Sequence, residues 1–189
     1  ITGSTTGINL NGNVDFDLHS NTISNATTSI NIDNAGAGSA IEYSTINIPA
    51  DQTGIHIEAS ATASNITLTK NKFLDTDDGS SETEVAIDND DSSTVNAGYN
   101  YFDIADSDGD NLSNGPIHDD DSTTGNVIKV QGPVQYSPFH TTSALDDAAI
   151  DYRIKVTTAG DPAYHTYLAN ALAQAGATQI NIKRNIDSD

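Results

Sequence analysis

Apolar residues recur in short alternating bursts along most of the chain: Ile8-Asn9-Leu10, Val14-Asp15-Phe16-Asp17-Leu18, Ile30-Asn31-Ile32 and Ile46-Asn47-Ile48. A period of two places successive side chains on opposite faces of a β-strand, so each burst predicts a short strand with one buried face. Asn, Gly, Ser, Thr and Asp fill the gaps between bursts, and these are turn formers. Before about residue 143 no segment carries the i, i+3, i+4 spacing of an amphipathic helix over a useful length.

The bursts repeat as a unit. A small residue and an aliphatic pair (Ile8/Leu10, Ile30/Ile32, Ile55/Ile57, Val85/Ile87) are followed by a second strand. Three units then close on Asn21-Thr22-Ile23, Asn71-Lys72-Phe73 and Asn100-Tyr101-Phe102, while the second closes on Thr45-Ile46 without Asn at that place. The first-strand positions 8, 30, 55 and 85 are separated by 22, 25 and 30 residues, a period that indicates a solenoid. An antiparallel sandwich would place Asn-Gly or Asp-Gly between its strands. The only such pairs are Asn11-Gly12, Asp78-Gly79, Asp108-Gly109 and Asn114-Gly115. The expected fold is therefore all-β, a parallel β-helix of about four coils over residues 1–140 with acidic loops. Equivalent Ile, Leu and Phe side chains are expected to form internal ladders. Asn at the bend before the last strand is expected to adopt the left-handed conformation and to bond the coils above and below. The repeat is already under way at Ile1-Thr2-Gly3, which raises the expectation of a missing cap, a longer parent chain or a neighbouring subunit.

Residues 141–189 read differently. Asp161-Pro162 can start a helix, and Tyr164, Tyr167, Leu168, Ala171, Leu172 and Ala175 follow at helical spacing up to Gly176. Ile180-Asn181-Ile182 then predicts a strand. This small helix–strand segment is expected to cap the repeats or to begin a further module.

The end of the repeats is distinctive. Asn100-Tyr101-Phe102 is followed by a loop rich in Asp, Gly and Pro, the strand Val127-Ile128-Lys129-Val130, and Val134-Gln135-Tyr136-Ser137-Pro138-Phe139. This arrangement resembles the close of the repeat region in right-handed parallel β-helix proteins of the pectin-lyase-like superfamily. Members often end on Asn-Tyr-Trp-Gly, a Gly-Pro loop and a Tyr-Ser-Pro-Trp-like segment. Here Phe102 and Phe139 stand where Trp is common, and Asp103 where Gly is usual. The resemblance covers about residues 7–139. It implies a right-handed coil and an extracellular or cell-surface setting. It implies no single reaction, because the fold serves lyases, hydrolases, phage tailspikes, adhesins and surface-layer components.

Charge narrows the partners. There are 27 acids against 7 bases, a net charge of −20, and residues 74–121 hold more than half of the acids with no Lys or Arg. Such a surface repels nucleic-acid phosphates and anionic lipid and attracts divalent cations. No apolar run is long enough for a membrane-inserted helix, and the absence of Cys excludes disulfides and thiolate sites.

The sharpest metal candidate is Asp106-Ser107-Asp108-Gly109-Asp110, where alternating carboxylates on a Gly-containing loop suit Ca²⁺, with Asp103 or Asp119 to Asp121 completing the shell. It is not an EF-hand, since position 12 counted from Asp106 is Ile117. Asp75, Asp77 and Asp78, and Asp88 with Asp90 and Asp91, form secondary candidates. His19, His56, His118, His140 and His165 are scattered, with no His-x-His or His-Glu-x-x-His spacing, so no zinc site is expected. No catalytic residue is assigned. A polysaccharide lyase needs a base, and the coils offer only Lys70 and Lys72, with no Arg before Arg153. Asn31-Ile32-Asp33, Asp90-Asp91 and Arg153-Ile154-Lys155 resemble polygalacturonase-type motifs in order, but the Gly-His-Gly motif is missing. Tyr99, Tyr101 and Tyr136 could offer stacking faces to a surface glycan. The expected role is an extracellular structural or adhesive module of a surface layer, filament, fibre or adhesin. It would be stabilised by Ca²⁺ and would associate with copies of itself as a homo-oligomer or filament. The alternatives are a carbohydrate-active lyase or hydrolase and a carbohydrate-binding module.

Overall fold

The computed structural model describes residues 4–76, 83–103, 117–118, 127–141, 143–147, 150–152, 154–158, 162–174 and 176–182. Five coils stack in parallel, and each gives one strand to each of three sheets. The first coil comprises β1 (Thr6–Leu10), β2 (Asp17–His19) and β3 (Thr22–Ile23); the second β4 (Thr28–Ile32), β5 (Ser39–Glu42) and β6 (Thr45–Ile48). The third comprises β7 (Thr53–Ile57), β8 (Ile66–Thr69) and β9 (Lys72–Asp75); the fourth β10 (Thr83–Asn89), β11 (Val95–Asn96) and β12 (Tyr101–Phe102). After β13 (Ile117–His118), a fifth coil follows with β14 (Val127–Gln131), β15 (Val134–Gln135) and β16 (Phe139–His140). The expected count of about four coils is thus corrected to five. The segment read as a closing stretch repeats the three-strand unit with Val130, Val134 and Phe139 turned inward.

The core is a set of ladders, as an alternating pattern requires when every strand meets its equivalent one coil away. Ile8, Ile30, Ile55 and Ile87 lie side by side in the first sheet. Ile23, Ile46, Phe73 and Phe102 do so in the third, where the two Phe rings stack at 5.2 Å. That separation matches the spacing of adjacent strands.

The fourth coil enters two residues later than its aliphatic pair implies. Ile87, not Val85, pairs with Ile55, and Asn89 takes the buried place opposite Ile57. In this register the place before the first aliphatic is held by a small residue in each of the first four coils: Gly7, Ser29, Gly54 and Ala86. A Cβ built on Gly54 would lie 2.7 Å from the Ala86 carbonyl oxygen, so the coils approach closely there. The alternative register would put Glu84 in that row of small residues. Asn89 is 2% exposed and satisfies itself by donating to the carbonyls of Ser93 and Pro133.

Between the second and third sheets each of the first four coils turns a corner on a non-glycine residue with positive φ: Ser20 (58°), Tyr43 (51°), Lys70 (53°) and Tyr99 (61°). The left-handed residue is therefore the one before Asn21, Ser44, Asn71 and Asn100, not the Asn itself. The Asn71 and Asn100 side chains instead point inward and reach back one coil. Asn71 Oδ1 accepts from the Ser44 amide at 3.0 Å and its Nδ2 donates to the Ile41 carbonyl at 2.8 Å. Asn100 repeats this on Asn71 N and the Leu68 carbonyl, at 2.8 and 2.9 Å. Ser44 does half the work, its hydroxyl accepting from Asn21 N at 3.2 Å. Asn71, Asn100 and Ser44 are all fully buried.

The C-terminal part forms an antiparallel sheet of β18 (Ile154–Thr157), β19 (Ala163–His165) and β20 (Gln179–Ile182), with α1 (Leu168–Leu172) against it over a separate core of Ile154, Val156 and Ala171. The long helix expected from residue 163 is corrected. Ala163–His165 pairs with β18, and among the described members of the expected stripe only Ala171 is fully buried. This part covers the outer edge of β15. Thr166 Oγ1 accepts from the amides of Tyr136 and Ser137, and the Tyr167 hydroxyl accepts from the Val134 amide at 2.9 Å. The last strand of the second sheet thereby keeps no unpaired edge amide in this stretch.

Removing the Asn71 side chain orphans a buried amide and a buried carbonyl. Asn71→Ala is expected to lower unfolding stability by about 3 kcal/mol in denaturant titration, and Asn71→Ser by less. Asn21→Ala, which loses only a 3.3 Å bond to the His19 carbonyl, is expected to cost under about 1 kcal/mol.

Candidate functional site

Two groups of polar side chains gather where neighbouring coils meet. The first lies on the outer face of the first sheet. In the strand pattern, the residue between two inward aliphatics points outward, and register stacks Asn9, Asn31, His56 and Asp88 in one column. Asn31 Nδ2 donates to Asn9 Oδ1 at 3.2 Å, which turns Asn31 Oδ1 toward His56 Nδ1, 3.0 Å away. On that hydrogen-bond assignment Nδ1 carries the proton and Nε2 faces the next coil. There Asp90 Oδ2 lies at 3.2 Å and Asp88 Oδ2 at 3.9 Å. One ligand atom from each of His56, Asp88 and Asp90 falls within 4.8 Å of the others. Glu58 Oε1 sits 3.9 Å from the other ring nitrogen.

Pairing Val85 with Ile55 would set Ala86 beside His56, and so the histidine looks isolated in the sequence. The observed register sets Asp88 there. The requirement for a small residue before the first aliphatic is the signal that would have revealed this.

The second group borders a groove of about 500 Å³ between the coil corners and the C-terminal part, lined by Lys70, Tyr99, Asp147 and Tyr164 among others. Lys70 and Tyr99 project into it because both are left-handed corner residues. Lys70 Nζ bonds Asp147 Oδ2 at 3.3 Å, and this bond raises the lysine above its ordinary pKa. The ammonium also lies 5.8 Å from the centre of the Tyr43 ring. Tyr99 packs 6.2 Å from the His140 ring, and burial raises its hydroxyl pKa. His140 is buried below. Its Nδ1 donates to the Asp146 carbonyl at 3.1 Å, and its Nε2, 3.8 Å from Asp147 Oδ1, has no hydrogen-bond partner among the described residues. Burial lowers its pKa.

Of the expected calcium ligands, Asp106, Asp108, Asp110 and Asp119 lie outside the described residues, as do Asp77 and Asp78. Asp103 follows β12 and accepts from the Tyr101 hydroxyl at 3.1 Å; burial first, and then this carboxylate, push that hydroxyl up to about 12. Asp75 ends β9 half-buried. Asp91 is occupied in a turn, where burial works to raise its pKa but hydrogen bonds from the Ser93 hydroxyl and amide and from the Ala63 amide leave it lowered. Tyr136 is 2% exposed, so its ring packs in the core and offers no stacking face.

His140 and His165 are both lowered chiefly by burial. A folded histidine with a lowered pKa binds fewer protons than the unfolded one, so stability is present above the ordinary value of 6.5 and is lost as pH falls below it toward the folded pKa. The melting temperature is expected to be lower at pH about 5.5 than at about 7.5, and His140→Gln to reduce that difference. Comparison with family models, curated proteins and solved structures finds no match for the chain.

Proposed function

We propose that the chain is a non-catalytic structural or adhesive module at or outside the cell surface. In this reading the coils form a right-handed parallel β-helix that pairs with a second copy through its first coil. Right-handed crossovers are the rule for parallel strands.

The observation that carries this reading is the difference between the two ends. At the far end every sheet has an added partner: β13 on β14 in the first, Thr166 and Tyr167 on β15 in the second, and β17 (Ile150–Asp151) on β16 in the third. At the near end β1, β2 and β3 are terminal strands of their sheets, with no outer strand among the described residues. Ile8, Leu10, Phe16 and Leu18 are only partly buried there, and Val14 is 68% exposed. Residues 4–27 include Asp15 and Asp17 as their only acids and no Lys or Arg, in a chain of net charge −20. An apolar end with little charge, whose strands have no outer partner among the described residues, suits a further β edge. In the proposed dimer that edge is the first coil of a second copy, related by a twofold axis. The acidic loop with Asp103, Asp106, Asp108, Asp110 and Asp119 supplies oxygen ligands alone, the donor set that Ca²⁺ prefers.

A carbohydrate-binding reading rests on the groove beside Tyr99. Tyrosine rings at its rim, with Lys70 and Asp147 as hydrogen-bonding groups, are the elements that hold a sugar face and its hydroxyls.

Sedimentation over a concentration series is expected to show a dimer, and Val14→Asp to shift it to monomer. A strict monomer at high concentration would remove the self-association reading and leave the groove as the functional surface. Melting in Ca²⁺ is expected to exceed melting in chelator, and equal values would remove calcium.

A further inference from the structure

The column on the first sheet carries a second inference, independent of calcium and of dimerisation. We propose that His56, Asp88 and Asp90 bind a divalent first-row transition metal such as Zn²⁺ or Ni²⁺, clamping the third coil to the fourth.

Donor geometry is the first support. Metal bonds of about 2.0–2.2 Å around a tetrahedral ion hold ligand atoms roughly 3.3–3.6 Å apart. His56 Nε2 lies 3.2 Å from Asp90 Oδ2 and 3.9 Å from Asp88 Oδ2. An ion therefore needs only small side-chain adjustments, on adjacent strands whose backbones are already hydrogen-bonded. The orientation of the imidazole is the second support. With the Asn31 amide oriented toward Asn9, the Asn9–Asn31–His56 relay favours Nδ1 as the donor and aims Nε2 at two carboxylates. This is the outer-shell arrangement that sets tautomer and ring angle in metal-binding histidines. With Nδ1 as the donor, the Nε2 lone pair faces the two carboxylates, the place a bound cation would take.

The donor chemistry selects the metal. One imidazole nitrogen with two carboxylates suits Zn²⁺ and its transition-metal neighbours better than Ca²⁺, which prefers oxygen alone. Glu58 approaches the opposite ring nitrogen, so it acts as a neighbouring charge and not as a ligand. Asp90 is the most exposed of the three, with 57% of its side chain accessible. Coordination positions on that side are open to water.

The test is titration of Zn²⁺, and separately Ni²⁺, into untagged protein, followed by calorimetry and by the histidine signals in NMR. One equivalent is expected to bind, with the His56 ring signals shifting first and with Ca²⁺ in large excess failing to displace it. Asp90→Asn and His56→Gln are expected to weaken binding at least about tenfold, and Asn31→Ala by a similar factor through loss of ring orientation. His19→Gln is expected to leave it unchanged. Asp90 and His56 are surface groups, and an unchanged circular-dichroism spectrum checks that their variants fold. No binding by the wild type at millimolar metal, or equal binding by wild type and His56→Gln, would overturn the proposal.

Discussion

A coil that turns a buried corner must find partners for the backbone groups at that corner, and this requirement governs the rest of the molecule. Water cannot reach the corner between the second and third sheets, so an unbonded amide there would cost a kilocalorie per mole or more. Asn71 and Asn100 meet the requirement because a carboxamide both donates and accepts, and so reaches an N–H and a C=O of the coil before. The Ser44 hydroxyl accepts from the Asn21 amide of the coil before but donates to the Glu42 carbonyl of its own coil. The Asn21 side-chain amide turns back to His19 of its own coil. The ladder is directional: each side chain completes its predecessor.

The same corner explains where the exposed groups go. To turn inward at Asn, the chain takes a left-handed residue just before it, a conformation that costs a non-glycine residue roughly 1–2 kcal/mol. The buried hydrogen bonds offset that cost. The left-handed residues Tyr43, Lys70 and Tyr99 then stand outward in a row. The groove beside the C-terminal part inherits its aromatic and cationic groups from this backbone constraint.

Much of this was legible in the chain itself. The two-residue alternation of Ile30-Asn31-Ile32 and the recurrence of Asn71-Lys72-Phe73 in Asn100-Tyr101-Phe102 reveal strands and coils directly, because burial on one face leaves that mark. Other features were hidden for identifiable reasons. Val85/Ile87 imitates the aliphatic pair of the third coil, and the row of small residues Gly7, Ser29, Gly54 and Ala86 is the pattern that goes with the observed register. That two-residue difference also concealed the His56–Asp88–Asp90 group, whose members belong to different coils. The apparent helix at residues 163–175 has a genuine helical period. Pairing of Ala163–His165 with β18 prevails over it, since tertiary hydrogen bonds outweigh a weak local preference.

The covering of the far end has a thermodynamic consequence. In a stack where each coil touches just its neighbours, stability behaves as a one-dimensional lattice, a sum of coil terms and junction terms. The fifth coil has a junction on one side and Thr166 and Tyr167 on the other, so the lattice is closed at that boundary. An opening that spreads through the coils meets, at the third-to-fourth junction, the side chains of His56 and Asp90 that span it.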